Sequence, residues 1–279
     1  MERVIIITES LLGRPYQLFS LQSFCSRFQV SKSTISEDLN LIKKIFEEER
    51  LGLVETISGP NGGVRFRPLI AAEDYAGLLE NISNTLSDPQ RILPGGFIYM
   101  TDIIFDPHLC YQLGRVFFSS FSGVRPDYII TMETKGIPLA LMTARICNCP
   151  LVTIRRSKRV TEGSVVSINY VSGSSRRIQT MSLARRALAP GSGVLIIDDF
   201  MKAGGTARGI LDLMEEFEAE VLGLGVLIST SKPKKKLVSD YLSLLILEEI
   251  KEEEGRLRIS VNSRLKGQYD TKKEGVQDE

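Results

Sequence analysis

The sequence has few of the residues from which proteins build metal sites. It contains a single histidine, His108, and no two cysteines have the spacing Cys-x-x-Cys. Because zinc sites are built from clusters of Cys and His, we predict that the chain has no metal site. The four cysteines are Cys25, Cys110, Cys147 and Cys149. Their simplest interpretation is as buried thiols in a reducing compartment.

The chain also lacks a large net charge and a long apolar run. Its 35 basic and 34 acidic residues leave a formal charge of +1, so any surface that attracts nucleic acid or membrane must be local. The apolar stretch at positions 4–7 is too short for a membrane span or a signal peptide. We therefore predict a cytoplasmic protein with no membrane partner. Hydrophobic residues make up 43% of the 279 positions, enough for two domain cores.

The segment at residues 194–206 is the most informative part of the sequence. Four apolar residues, three of them β-branched, predict a buried parallel strand, and Asp198 and Asp199 follow at its carboxyl end. Helical spacing of later apolar residues predicts that a helix follows the loop. A helix N-terminus favours an anion, and Gly204 and Gly205 let the backbone approach it closely. Since carboxylates accept hydrogen bonds from hydroxyls, the segment predicts a site for a sugar phosphate.

This segment resembles the fingerprint of the type I phosphoribosyltransferases. In that family the Gly/Thr-rich loop holds the 5′-phosphate of phosphoribosyl diphosphate, and the acidic pair meets the ribose hydroxyls. The resemblance implies an effector site formed by Asp198, Asp199, Lys202, Ala203, Gly204, Gly205 and Thr206. The family often has Thr at the position of Lys202, so this residue departs from the pattern. An ordinary strand-turn-helix is the alternative, but two adjacent acids at a strand end are costly without a use.

A second loop of the same domain matches the same family. Tyr128–Met132 is predicted to be a buried strand, followed by a loop and a helix that begins at Ile137. The family's loop at this place cradles the pyrophosphate group, which implies effector contacts from Thr134, Lys135 and Gly136. A plain strand-to-helix turn with an exposed lysine is the alternative.

A basic run at 155–159 and a hairpin follow the predicted strand Leu151–Ile154. The strands Val165–Val171 and 178–181, joined by a Ser/Gly turn, resemble the flexible flap of the xanthine phosphoribosyltransferase branch. In that branch a basic cluster, a Tyr-bearing flap and the Asp-Asp strand follow in the same order. The effector residues implied here are Arg156, Lys158 and Tyr170. For the basic run, a solvated edge is the alternative.

The first seventy residues have a different pattern, typical of a winged helix-turn-helix domain. Apolar spacing predicts helices at 3–13, near 21–28 and from about 31 to 50, followed by the strands Leu53–Ile57 and 64–67. In this architecture the helix after the turn enters the DNA major groove. The residues at its start, which we predict to face the bases, are Lys32, Ser33, Thr34 and Ser36. Residues 31–34 offer several N-caps for this helix, Ser31 among them, and Thr34 and Glu37 also have the spacing of a capping box.

The second strand of the predicted wing carries two arginines. Arg65 and Arg67 alternate with apolar residues, which predicts that both guanidinium groups face outward, where they would reach DNA phosphates or the minor groove. Positions 1–70 contain 9 basic and 8 acidic residues, so DNA binding is inferred from their placement. A helical protein-interaction module, or a winged helix that has lost DNA binding, is the alternative.

These patterns divide the chain into four parts and predict an α/β fold class. Residues 1–70 are the winged-helix DNA-binding domain, and 71–93 are a connecting helix. Residues 94–267 are a phosphoribosyltransferase-like effector domain with a parallel sheet and a flap hairpin, and 268–279 are a disordered tail. The basic run at 232–236 is interpreted as a solvated loop.

The combination of the two domains resembles the purine operon repressor family of Gram-positive bacteria. The resemblance implies a homodimeric regulator of purine genes that binds double-stranded operator DNA. Its second domain would bind phosphoribosyl diphosphate, with or without Mg²⁺, without turning it over, and the ligand would relieve DNA binding. Guanosine tetraphosphate, which carries related groups, is a candidate competitor. The alternative is an active purine phosphoribosyltransferase with an appended regulatory domain, for which no clear purine-recognition segment is present.

Overall fold

The computed structural model describes residues 1–157, 163–171 and 177–265. Three sequence predictions lie outside these residues: the effector role of Lys158, the turn at 172–175 and the disorder of 268–279. The described residues form a small helical domain with a hairpin, followed by a larger domain with helices packed on a sheet, which confirms the predicted fold class. No helix within these ranges is both long enough and apolar enough to cross a membrane.

The first domain has three helices and one hairpin, in the order that the sequence predicts. The third helix buries the apolar face expected from its spacing, and the hairpin packs on it through buried Val54, Val64 and Phe66. The rings of Phe46 and Phe66 meet edge to face at 5.3 Å between centroids. The elements are α1 (Glu2–Gly13), α2 (Leu21–Phe28), α3 (Lys32–Glu48), β1 (Leu53–Ile57) and β2 (Gly63–Arg67).

The start of α3 differs in detail from the prediction. Ser31 is the N-cap, and its hydroxyl accepts a hydrogen bond from the backbone N–H of Thr34 at 3.3 Å. The predicted capping box of Thr34 and Glu37 is therefore wrong, because Thr34 already lies in the first helical turn. The left-handed conformation of Gln29 ends α2 and leaves Ser31 extended in the capping position. The helix ends at Glu48, slightly before the predicted residue 50.

The second domain is built on a six-stranded sheet in the order β12-β11-β10-β9-β5-β6. All neighbouring strands are parallel except β11 and β12. Its elements are α4 (Ala72–Leu86), β3 (Ile92–Leu93), β4 (Phe97–Ile98), α5 (Thr101–Ile104), α6 (Pro107–Ser120), β5 (Tyr128–Met132), α7 (Ile137–Cys147), β6 (Leu151–Ile154), β7 (Val165–Val171), β8 (Ile178–Ala184), β9 (Gly193–Met201), α8 (Gly205–Glu216), β10 (Glu220–Thr230), β11 (Leu242–Lys251) and β12 (Arg256–Val261). Apolar side chains cover both faces of the sheet in two separate clusters.

Helix α4, which the sequence predicts as a connector, packs into the core of the second domain. Its buried face carries Tyr75, Leu79, Ile82 and Leu86, which belong to the same apolar cluster as the strands of the sheet. The hydroxyl of Ser83 donates to the carbonyl of Ile259 on β12 at 2.8 Å. One face of α4 is therefore apolar because it is buried against the edge of the sheet, and the helix is not a free linker.

Two hairpins project from the sheet. β3 and β4 are joined at Gly95 and Gly96, whose φ angles of +84° and +70° suit glycine. The carboxylate of Glu252 accepts hydrogen bonds from both glycine N–H groups, at 3.0 and 3.1 Å, and so holds the turn in place. The second hairpin, β7 with β8, is the predicted flap, and its strands are antiparallel.

The contacts between the two domains include hydrogen bonds from Arg115 and a ring contact of Tyr16. The guanidinium of Arg115 on α6 donates to the carbonyls of Pro68 at 3.1 Å and Leu69 at 2.6 Å, immediately after the wing. The ring of Tyr16 lies edge to face against Phe118, with 5.7 Å between centroids. Burial lowers the pKa of Arg115, and its bonds to carbonyl oxygens satisfy donors that the junction removes from water.

The cysteines fit their interpretation as packed thiols. Cys25, Cys110 and Cys147 are buried, Cys149 is half-buried, and all four are free. The Cys110 thiol donates to the carbonyl of Ile104 at 2.9 Å, and burial raises its pKa to about 11. A thiol of this kind is protonated at neutral pH and is a poor nucleophile.

Candidate functional site

The acidic pair lies inside a strand rather than after it. β9 continues through Asp198 and Asp199 to Met201, because its pairing with β10 extends along this whole length. The prediction that the strand ends before the pair is therefore wrong. On the other side, β5 pairs with β9 only as far as Ile196. The two strands separate beyond this point, and the gap leaves room for a ligand at the carboxyl edge of the sheet.

A cavity of about 550 Å³ opens at this edge. It collects most of the effector residues that the sequence predicts, from three separate loops and strand ends. These residues are Lys135, Arg156, Asp198, Asp199, Lys202, Ala203, Gly204, Gly205 and Thr206. The sequence resemblance therefore identified one side of a single cavity, although those residues span more than one element.

Asp199 affects the ionisation of the neighbouring Asp198. Burial raises the pKa of Asp198 well above its ordinary value, and the nearby charge of Asp199 raises it further. The positive charge of Arg156 acts in the opposite direction. The backbone N–H of Asp199 also donates to Asp198 Oδ1 at 3.0 Å. As a result Asp198 takes up a proton more readily than an isolated carboxyl, and the pair offers acceptors to ligand hydroxyls.

The loop at 133–136 packs directly against the acidic pair. A Cβ atom on Gly136 would lie 2.5 Å from Asp198 Oδ1 and 2.6 Å from Thr131 Oγ1, so no larger residue fits there. Gly136 and Thr134 do not line the cavity; Gly136 permits the close packing. Glu133 ties the loop to the end of β6, because it accepts the Arg156 N–H at 2.7 Å. The peptide bond between Glu133 and Thr134 is cis.

Thr131 is a site residue that sequence reasoning missed. Its side chain is fully buried on β5, and Oγ1 has no hydrogen-bond partner within the described residues. The same oxygen faces Gly136 beside Asp198. The only signal in the sequence is a polar residue within an apolar strand, which does not show which face it occupies.

The loop after β9 provides backbone donors. Gly204 has φ +82° and caps α8, and its carbonyl accepts the first helical hydrogen bond, from the N–H of Arg208 at 2.8 Å. In the described part of the chain, the N–H groups of residues 203–206 have no backbone acceptor, and no side chain caps the helix. Together with the helix dipole, these four donors make a site for a phosphate group.

Lys202 lines the cavity with its charge unpaired. Its ammonium forms no ion pair with Asp198, Asp199 or any other acid in the ranges that the structure describes. Lys135 likewise has no ion pair there. Both cations are therefore available to a ligand.

Tyr170 is not placed in the cavity. It is buried in the flap and packs on α8. The contact is close, because a Cβ added to Gly209 would lie 2.9 Å from the Cβ of Tyr170. Its hydroxyl donates to Gln179 Oε1 on the neighbouring flap strand at 2.8 Å. The strand alternation turns this side chain toward the core, so we do not retain it as an effector residue.

The opposite wall of the cavity is apolar, and the sequence did not predict it. It comes from the β3–β4 hairpin and from β11, with Phe97, Ile98, Met100, Leu247 and Ile250. The side chain of Phe97 is 67% exposed, which is unusual for so large an apolar group. The sequence predicts only a domain boundary at residue 94, and the aromatic residue three positions later was the missed signal.

The predicted DNA face lies at the start of α3. Lys32 and Ser33 are exposed, and Thr34 and Ser36 are half-buried. The hydroxyl of Ser36 donates to the carbonyl of Lys32 at 2.9 Å, while that of Ser33 is hydrogen-bonded to Ser31 at 2.7 Å. The ammonium of Lys32 has no ion pair in the described ranges. This end of the helix is free to enter a groove.

The wing arginines are already engaged. Glu55, directly opposite Arg65 on β1, accepts from Arg65 Nε at 2.7 Å and from Arg67 Nη1 at 2.9 Å. Both guanidinium groups also lie over the ring of Tyr16, at 5.0 and 5.8 Å. Burial raises the pKa of Glu55, but the hydrogen bonds from Arg67 and Arg65 outweigh it and the pKa is lowered. Their contact with DNA stays a prediction.

Each of the two domains matches a known protein family. Residues 1–68 match the family described as "Bacterial purine repressor, N-terminal", and residues 113–257 match the "Phosphoribosyl transferase domain". An adenine phosphoribosyltransferase structure from Rhodothermus marinus DSM 4252 superposes with a TM-score of 0.53 at 23% identity. The match covers 62% of this chain and 99% of that one, and it shows the fold of the second domain alone.

Full-length relatives are transcriptional regulators by name. The purine biosynthesis transcriptional repressor PurR of Bacillus subtilis (strain 168) is 46% identical over 257 residues, covering 92% of this chain and 90% of the relative. The purine biosynthesis transcriptional activator PurR of Lactococcus lactis subsp. lactis (strain IL1403) is 40% identical over 249 residues, covering 89% and 92%. A xanthine phosphoribosyltransferase of Exiguobacterium sp. (strain ATCC BAA-1283 / AT1b) is 37% identical over 127 residues, covering 45% and 66%.

Proposed function

Because the chain belongs to the family of bacterial purine biosynthesis transcriptional regulators, we propose that it binds operator DNA and senses phosphoribosyl diphosphate. One observation carries the effector assignment. Among the residues that the structure describes, a single cavity combines a carboxyl pair, four backbone N–H groups without an acceptor and cations without an ion pair. A ligand with hydroxyls between two phosphate groups satisfies all three, and phosphoribosyl diphosphate is such a molecule.

The effector would be held by complementary groups along the cavity. The 5′-phosphate binds the N–H groups of residues 203–206, and the ribose hydroxyls donate to Asp198 and Asp199. Lys135, Lys202 and Arg156 face the charge of the diphosphate. The carboxylate oxygens of the acidic pair fit the oxygen preference of Mg²⁺, which would supply further neutralisation of the diphosphate.

We propose that the second domain binds this ligand without transferring its ribosyl group. The relatives that match nearly the whole chain are named regulators, whereas the xanthine phosphoribosyltransferase matches less than half. The apolar wall opposite the acidic pair offers Phe97, Leu247 and Ile250, with few polar groups to orient a purine. An active purine phosphoribosyltransferase is the second candidate. Incubation with labelled phosphoribosyl diphosphate, Mg²⁺ and each purine base tests it, and nucleotide formation at useful rates would establish it.

Operator DNA is read by the first domain, with the start of α3 in the major groove. We propose a homodimer on the operator, as two half-sites require. A ligand shifts DNA binding only if it has different affinities for the free and DNA-bound forms. We propose that the ligand's phosphates and the DNA phosphates compete for Lys135, Arg156 and Lys202, the basic residues that line the cavity. Since operator DNA lies in the bacterial cytoplasm, the regulator acts there.

The proposal is tested by measuring operator affinity against the concentration of phosphoribosyl diphosphate at fixed salt. We expect the ligand to weaken operator binding, and guanosine tetraphosphate to compete with it for the same cavity. Operator binding that does not respond to phosphoribosyl diphosphate would refute the sensing role. Fixed salt is required because phosphate contacts make DNA affinity steeply salt-dependent. The oligomeric state on DNA, measured by analytical ultracentrifugation, tests the dimer.

A further inference from the structure

The basic run at 232–236 touches the phosphate loop, contrary to its interpretation as a solvated loop. Lys236 Nζ donates to the carbonyl of Lys202 at 2.5 Å, and it lies 3.3 Å from Thr230 Oγ1. The hydroxyl oxygen of Thr230 lies 3.1 Å from the same carbonyl and 2.5 Å from the carbonyl of Lys232. The next residue, Leu237, donates its backbone N–H to the carbonyl of Ala203 at 2.9 Å. The contacts with Lys202 and Ala203 join residues 28 to 34 positions apart.

These contacts determine the direction of the peptide groups in the loop. The carbonyl of Lys202 accepts from Lys236, that of Ala203 from the N–H of Leu237 and that of Gly204 from the N–H of Arg208 on α8, and these three donor residues do not line the cavity. The peptide bonds that join residues 202–204 are trans, so each N–H points opposite to the carbonyl of the same peptide. The N–H of Ala203 shares its peptide with the carbonyl of Lys202, and that of Gly204 shares its peptide with the carbonyl of Ala203. Both N–H groups are therefore directed at the cavity side.

We propose that Lys236 is a positioning residue for the effector's phosphate, acting through the peptide between Lys202 and Ala203. This inference rests on the proposed function. The ammonium orients the peptide and draws electron density toward its carbonyl, so that the N–H of Ala203 becomes a stronger donor to the anion. The positive charge thus assists the phosphate without touching it.

The surroundings of Lys236 distinguish it from the other lysines of the run. Lys232, Lys234 and Lys235 are exposed, whereas Lys236 is half-buried. Burial lowers the pKa of Lys236. The free-energy cost of burying its positive charge is reduced by the two oxygen acceptors around the ammonium. The segment that follows is packed tightly, because a Cβ on Gly204 would lie 3.2 Å from Val238, which is buried.

The test uses three variants of the full chain, K236M, K236R and K235M. Met keeps the length of the side chain but lacks the ammonium, Arg restores a cationic donor, and Lys235 is the exposed neighbour with the same charge. We expect K236M to bind phosphoribosyl diphosphate roughly tenfold more weakly, the effect of losing one charge-assisted hydrogen bond. K236R should recover most of the affinity, and K235M should stay within about twofold of the parent. Equal affinities of K236M and K235M would overturn the proposal.

A second measurement separates this inference from the identity of the effector. Inorganic phosphate is titrated into each protein while the amide resonances of Ala203 and Gly204 are followed by NMR. We expect both resonances to shift in the parent and K235M, and much less in K236M, even if the parent fails to bind phosphoribosyl diphosphate. That combination would reject the effector and keep the positioning role. Resonances that respond equally in K236M, or that do not respond in the parent, would reject the role of Lys236.

Discussion

The wing and the effector cavity both contain cations, and the structure uses them differently. At the wing, Arg65 and Arg67 share the carboxylate of Glu55 and lie over the ring of Tyr16. At the cavity, Lys135 and Lys202 have no ion pair within the residues that the structure describes. Paired cations hold one element against another, while unpaired cations beside free N–H groups leave an excess of positive potential for a ligand.

The carboxyls of the two regions show the same contrast. Burial raises the pKa of both Glu55 and Asp198. At the wing two guanidinium groups outweigh burial and lower the pKa of Glu55, whereas at the cavity Asp199 adds to burial. Glu55 therefore contributes stability as an anion. The surroundings of Asp198 disfavour its charged form, and a bound ligand can relieve this.

The largest expected effect comes from removing the acidic pair. Asp198→Ala or Asp199→Ala should lower the affinity for phosphoribosyl diphosphate roughly 10- to 100-fold, because the ribose hydroxyls lose their acceptors. Calorimetric titration measures the change, and operator binding should persist. Asp240→Ala, at an exposed acid without an ion pair in the described chain, is the control. Unchanged affinity in both cavity variants would remove the assignment.

The next largest effect is expected on operator binding, where the predicted DNA contacts of Lys32 and Arg65 can be compared. Lys32→Ala should weaken operator binding and reduce the slope of log affinity against log salt by about one, since it removes one cation from the DNA-facing end of α3. Arg65→Ala should change the slope less, because its guanidinium is occupied by Glu55 in the free protein. Lys44→Ala, at the other end of α3, is the control. If Arg65→Ala changes the slope as much as Lys32→Ala, the wing pairing opens on DNA.

A stability measurement distinguishes the two carboxyl environments. The pKa of Asp198 is higher in the folded chain than in the unfolded one, so the free energy of unfolding falls as the pH rises above the ordinary value of 3.8. Asp198→Asn removes this loss and should raise Tm by about 2–4 °C at neutral pH, with a smaller gain in acid. Thermal unfolding across the pH range measures it. A lower Tm at neutral pH would contradict the assigned environment.

The opposite sign is expected at the wing. The pKa of Glu55 is lowered, so its stabilisation is present above the ordinary value of 4.5 and is lost as the pH falls through the lowered pKa. Glu55→Gln should lower Tm by about 2–4 °C at neutral pH, and the difference from the parent should disappear in acid. A pH-independent difference would show that packing, rather than charge, is responsible.

The smallest effect is expected for Lys202, whose side chain lines the cavity without a partner in the described ranges. Lys202→Ala should weaken phosphoribosyl diphosphate binding roughly threefold, as expected for a solvated cation near a phosphate. Its Tm should be nearly that of the parent. Titrations with and without operator provide the measurement, and identical curves would return Lys202 to the role of a surface residue.

Much of the fold followed from local patterns. Buried apolar spacing located α3, β5 and β6, and the acidic pair with its glycine loop identified the cavity edge. The limits of β9 were missed because a strand ends where its neighbour stops pairing, and β10 lies beyond the reach of local sequence. The packing of the connecting helix at 71–93 was not predicted for a similar reason, since an amphipathic helix does not reveal which surface it covers.

By itself the sequence predicted most elements up to α8 in their order, the two domain types and nine of the residues that line the cavity. These depend on side-chain chemistry and on spacings of two to four residues, which a local reading contains. Only the tertiary structure decided that Gly136 packs on Asp198 and that Glu55 forms ion pairs with both wing arginines. It also decided that Lys236 donates to the carbonyl of Lys202. Such contacts arise where distant strand ends converge at one edge of a sheet, and their partners depend on strand order and register, which span the whole chain.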